Sequence, residues 1–153
     1  MRTINHHQVS PADKCLALSV TDEPGSGGAN HRYEISGFVS GRNASADRSA
    51  RARYEHDQIP STNAEILKSR ENQKPETLVI LFQNGPIPDN GVNGITVEVL
   101  LAICADRLLS FQAGPFPSKA NACALTHIEE ATHWLQQRTI ERMRRGVEGT
   151  LNA

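Results

Sequence analysis

The residues best placed to do chemistry are arginines near the C-terminus. In Arg138-Thr-Ile-Glu-Arg142-Met-Arg144-Arg145, positions 138, 142 and 145 fall at i, i+4 and i+7, which places them on one face of a helix. Trp134 lies one turn earlier on that face. The stripe offers planar forks that match phosphate oxygens, beside a flat ring that can stack on a base. A purine carrying phosphate has the matching chemistry. A plainer account uses the same residues: arginines in a helix's last turns offset its negative end, by about 0.3–1 kcal/mol each at exposed sites. Tryptophan, too, more often serves a core or an interface than a base. Periodicity alone does not choose between the two.

Other reactive residue types do not assemble into a set. His127 and His133 stand six apart, on nearly opposite faces of a helix, and His6 and His7 fall in what reads as a flexible tail. No cysteine or carboxylate stands near them at ligand spacing, so no metal and no cofactor are expected. Gly25-Ser-Gly-Gly lacks the Lys-Ser or Lys-Thr ending of a phosphate-binding loop and precedes a strand, so it reads as a hairpin turn. Glu129, Glu130 and Glu141 read as solvated helix residues. With neither a nucleophile elbow nor a Ser/His/Asp arrangement, no catalytic residue is assigned.

The elements that must position these residues follow from hydrophobic period. Residues 14–22 alternate as a strand, Glu23-Pro-Gly-Ser-Gly-Gly turns the chain, and residues 31–39 form a second strand with Tyr33, Ile35 and, as a third candidate, Phe38 toward a core. Thr77-Leu-Val-Ile-Leu-Phe reads as a third, more buried strand. Between them, residues 40–74 are rich in Ser, Ala, Arg, Asn and Gln and read as an insertion, with a short helix near 64–69 as its sole regular element. After the turn-dense connector at 85–94 the period changes from two to about 3.6. Val97, Leu100, Leu101, Cys104, Leu108 and Phe111 then define one helix over 96–112, stopped by Gly114-Pro-Phe-Pro. Ser118 can cap a second helix, whose seam is Leu125, Ile128, Thr132, Leu135, Thr139 and Arg142, and Gly146 ends it.

The expected fold class is α+β: a small N-terminal antiparallel sheet, then a two-helix antiparallel hairpin that packs into an oligomeric helical bundle. The domains are 1–94, carrying the insertion, and 95–153. Two helices alone leave an apolar face exposed, which the sheet or another subunit must cover.

Composition bounds the function. A chain of 153 residues, 38% hydrophobic, suits one compact core with a flexible segment. A formal net charge of -1 supplies no bulk attraction to nucleic acid or to anionic membrane. The three cysteines, Cys15, Cys104 and Cys123, are widely spaced and odd in number, which suits a reducing cytosol. The N-terminus lacks a signal peptide's apolar run, and no stretch approaches the ~20 apolar residues of a membrane span. A soluble, intracellular protein is expected.

Seven motifs then occur in order: Phe82-Gln-Asn-Gly-Pro-Ile, Gly91-Val-Asn-Gly, Asp106-Arg-Leu, Phe111-Gln-Ala-Gly-Pro-Phe, Asn121-Ala-Cys-Ala-Leu-Thr, Trp134-Leu-Gln-Gln-Arg-Thr and Arg145-Gly-Val-Glu-Gly-Thr. Together they resemble the phage anti-Thoeris sponge family, whose helical hairpin is similar to that of phage anti-CBASS cyclic-nucleotide sponges. The likeness is strong over about 80–150 and weaker over Asp22-Glu-Pro-Gly-Ser-Gly-Gly-Ala-Asn-His-Arg-Tyr. It implies a non-catalytic protein, acting in the cytoplasm of the infected bacterial host, that holds glycocyclic ADP-ribose away from its effector. Some relatives also hold cyclic di- or trinucleotides.

Carried over by position, the resemblance implies that Phe111 stacks on adenine, Asn121 hydrogen-bonds the ligand, and Arg138 and Arg142 grip its phosphates. Gln83 or Asn84, on the connector, adds a polar contact, and Trp134 and Arg145 complete the candidate set. The insertion departs from the family pattern; Arg42, Arg48, Arg51 and Arg53 within it are expected to stay solvated. Phe111 and Asn121 lie at one end of the hairpin and the arginines about 25 Å away, so a closed pocket requires a homo-oligomer, a dimer or a trimer of dimers. The rival readings are an enzyme that degrades the signal, a nucleic-acid-binding regulator that lays the Arg138–Arg145 helix in a groove, and a purely structural oligomer.

Overall fold

The structure is a computed structural model that describes residues 1–40, 43 and 75–150. Almost all of the expected 40–74 insertion, with its arginines and short helix, lies outside the described residues. The described residues form two compact units, one from within Met1–Thr21 and Tyr33–Val79 and one from within Asp22–Arg32 and Ile80–Ala153.

The first unit is built on a sheet of strands β1 (Arg2–Ile4), β2 (Ala17–Val20), β3 (Arg32–Phe38) and β4 (Glu76–Leu81), in that spatial order. β2 and β3 pair antiparallel, with Leu18 opposite Ile35 and Val20 opposite Tyr33, as the alternation of apolar residues predicts. Val20 is buried on the sheet. Two expectations need correcting. The N-terminal tail is not free of structure: Arg2, Thr3 and Ile4 pair antiparallel with Val20, Ser19 and Leu18, and the His7 ring contacts the Leu16 carbonyl. A strand of three residues with no turn signal ahead of it leaves too short a period to recognise. β4 is apolar as expected but not buried, because it lies at the sheet's edge; Leu78, Val79 and Leu81 are all exposed.

The second unit carries a short helix α1 (Ile87–Asn90) and the hairpin helices α2 (Val97–Ala113) and α3 (Lys119–Arg144). Both hairpin helices begin and end within two residues of the positions their periodicity predicts. Ser118 caps α3 by accepting the Asn121 amide at 3.1 Å, and Gln112 Oε1 accepts the Ser118 amide at 2.8 Å, closing the turn. Leu125, Ile128, Thr132, Leu135, Thr139 and Arg142 are half-buried together, so the predicted seam is the face that α3 lays against α2. On α2, Leu100, Leu101 and Leu108 are half-buried, while Val97, Cys104 and Phe111, at intervals of seven, form an exposed stripe. Neither hairpin helix contains a fully buried residue. All three cysteines are free thiols. Among the described residues no helix is long and apolar enough to cross a membrane.

Candidate functional site

The arginine end of the site is built by the way α3 stops. Gly146 adopts φ +68°, a conformation that favours glycine, and this lets the chain fold back over the last turn. The Gly146 amide donates to the Met143 carbonyl at 3.0 Å and the Val147 amide to the Arg142 carbonyl at 3.0 Å, the bond pattern of a Schellman motif. The returning strap, residues 145–150, wraps the Arg142 side chain. Its Nε donates to Glu148 Oε2 at 3.0 Å, and its Nη2 donates to the carbonyls of Val147 and Thr150 at 2.9 Å each. Arg142 is consequently the less exposed of the two central arginines, at 22% against 62% for Arg138.

Arg138 stands one turn earlier and makes a looser contact, its Nη2 lying 3.5 Å from Glu98 Oε1 at the start of α2. Trp134 is 73% exposed and meets the ring of His133 edge to face. Arg145 is exposed and ends the helix through its amide bond to the Glu141 carbonyl. The predicted stripe of Trp134, Arg138 and Arg145 is thus open to solvent, with Arg142 tied down within it.

The aromatic end lies at the opposite tip of the hairpin. Phe111 is exposed, and the guanidinium of Arg107, one turn back on α2, sits 5.1 Å from its ring centroid. One face of the ring is therefore occupied by a cation. Asn121, half-buried, is in the first turn of α3. From Asn121 to Arg138 the helix rises about 25 Å, so the fold holds Phe111 and Asn121 at one end and the arginines at the other, within a single chain.

Gln83 and Asn84 have structural work of their own. Gln83 Nε2 donates to the carbonyls of Gly85 and Gly91, and its Oε1 accepts the Asn93 amide at 3.0 Å. Asn93 also exchanges two 2.9 Å bonds with the Asn84 backbone, and Asn84 Oδ1 accepts the Ser26 amide at 3.3 Å. These bonds staple the connector to itself and to the glycine-rich loop. Gly94 permits the close pass, since a side chain there would collide with the Phe82 and Gln83 backbone. In the same loop, desolvation works against the Asp22 carboxylate, but bonds from the His31 and Arg32 amides outweigh it and hold its pKa below the ordinary value.

Three residues to which the sequence assigns no role now adjoin the candidate set: Arg107, Glu98 and Glu148. Arg107 was findable, because it stands four residues before Phe111 on one helix. Glu98 was not, because its contact depends on the register of two helices. Among the described residues, no group of His, Cys, Asp or Glu is placed to hold a metal ion.

The profile of the Acb2/Tad1 hairpin domain matches residues 74–139. That span includes Gln83, Asn84, Phe111, Asn121, Trp134 and Arg138, whereas Arg142 and Arg145 lie beyond it. The chain is also similar to "Thoeris anti-defense 1" of Bacillus phage SBSphiJ7, with 49% identity over 69 residues, covering 45% of this chain and 49% of that protein.

Proposed function

We propose, for a chain whose residues 74–139 belong to the Acb2/Tad1 hairpin-domain family, that it is a phage anti-defence protein that captures a cyclic nucleotide immune signal and does not cleave it. The ligand of best fit is glycocyclic ADP-ribose, with cyclic di- or trinucleotides as further candidates. It would act in the cytoplasm of the infected host, and it needs no cofactor.

The observation that carries this reading is a hairpin with an exposed aromatic end, Phe111, and an arginine end of exposed Arg138 beside half-buried Arg142. The two ends lie about 25 Å apart, too far for one small nucleotide to touch both. Two hairpins packed antiparallel would set the aromatic end of one subunit beside the arginine end of the next. The exposed stripe of Val97, Cys104 and Phe111 supplies apolar surface for that packing. Adenine would stack on the Phe111 face opposite Arg107, Asn121 would bond the base or ribose, and the guanidinium groups would hold the diphosphate. Trp134 and Arg145 would border the pocket, with Gln83 and Asn84 shaping the connector beside it. Every step is binding, so the protein acts one site to one ligand.

The test loads purified protein with glycocyclic ADP-ribose, removes free ligand, and denatures the complex by heat. Intact, effector-activating ligand in stoichiometric yield supports capture. Recovery of hydrolysed product alone, or turnover above one per site, would establish an enzyme instead.

A further inference from the structure

From the strap geometry we infer that Glu148 is a positioning residue for ligand capture, acting through Arg142. This rests on the reading of Arg142 as a phosphate contact. A guanidinium carries all its N–H donors in one plane, so bonds that fix that plane also fix the direction in which it can meet a phosphate oxygen before the ligand arrives. Free in solvent, a long arginine side chain samples many rotamers, and ordering it on binding weakens affinity. Here bonds to the strap fix that plane: Nε to Glu148 Oε2, and Nη2 to the carbonyls of Val147 and Thr150. All three acceptors lie on the strap, and the strap is itself fastened to Arg142 by the Val147 amide, which donates to the Arg142 carbonyl. Side chain and backbone of one arginine thus organise a single turn.

Arg138 shows what the strap adds. Its contact with Glu98 is longer and involves one nitrogen, and the side chain stays mostly exposed. A ligand phosphate must order Arg138 but finds Arg142 already ordered. Glu148 also offsets part of the repulsion among Arg142, Arg144 and Arg145, which share the last turns of α3.

The experiment measures glycocyclic ADP-ribose binding by calorimetry for the wild type, Glu148→Gln, Glu148→Ala, and each combined with Arg142→Ala or Arg138→Ala. Glu148→Ala is expected to weaken binding about twofold to fivefold. Glu148→Gln keeps an acceptor for Nε and should recover most of that loss, with an unchanged thermal midpoint. The deciding comparison is the double-mutant cycle. In the Glu148→Ala background, Arg142→Ala should cost clearly less than in wild type, while Arg138→Ala should cost the same in both. A general structural role would shrink both arginine effects alike, and that result overturns the inference. So does a Glu148→Ala protein that binds as wild type does. If the wild type binds no nucleotide, the capture reading and this inference fall together, which differs from the inference failing in a protein that binds.

Discussion

At the residue scale the two central arginines are not equivalent, although sequence spacing makes them look so. Arg142 is held to the strap through both Nε and Nη2, whereas Arg138 makes a loose contact with Glu98. Arg138→Ala and Arg142→Ala should each weaken nucleotide binding by about 1.5–3 kcal/mol, the worth of a charge-assisted bond, with the hairpin still folded. Calorimetry paired with circular dichroism checks this; a folded variant that binds as wild type does removes that arginine from the site. Glu98→Ala should act in the opposite direction. It frees Arg138 from a competing acceptor, and exposed pairs are worth about 0.2–1 kcal/mol, so affinity should rise by up to about fivefold. The sequence made the arginine stripe legible because its spacing lies within one helix. It hid Glu98 and Glu148 because one contact crosses between helices and the other depends on how the chain turns after Gly146.

At the element scale, punctuation decided what could be read. Gly114-Pro-Phe-Pro, the Ser118 cap and Gly146 bracket the hairpin helices, and the observed bounds Val97–Ala113 and Lys119–Arg144 follow them closely. β2 and β3 were legible from alternation around a glycine-rich turn. β1 was not, being three residues long, and the exposure of β4 was missed because an apolar run states what a strand prefers and not what covers it. The connector's fold was likewise hidden, since Gln83 and Asn84 read as polar ligands while their bonds to Gly91 and Asn93 close a loop and the Asn84 bond to Ser26 spans 58 residues. Asp22 gives this region a pH signature. Its folded pKa lies below the ordinary 3.8, so its contribution is complete above that value and is lost as pH falls through the lower folded value. The protection of the His31 amide, which donates to Asp22 Oδ2 at 2.7 Å, measured as its exchange rate relative to the intrinsic rate at each pH, should therefore hold at neutral pH and fall only below the ordinary 3.8. Loss of protection already at pH 5–6 would point to another group.

At the scale of the whole molecule, the hairpin's lack of any fully buried residue carries the most weight. Val97, Ile103, Leu109, Phe111, Trp134 and Met143 are exposed on the two helices, a density of apolar surface that soluble chains usually cover with a partner. The separation of the aromatic and arginine ends asks for the same partner on independent grounds. Capture and assembly are thus one proposal, and native mass spectrometry with a panel of cyclic ADP-ribose isomers and cyclic di- and trinucleotides tests it most directly. The predicted spectrum shows a dimer or a trimer of dimers carrying glycocyclic ADP-ribose in whole-number stoichiometry, with the ligand's mass unchanged on release. A monomer throughout the titration, or an oligomer that takes up none of the panel, would contradict it.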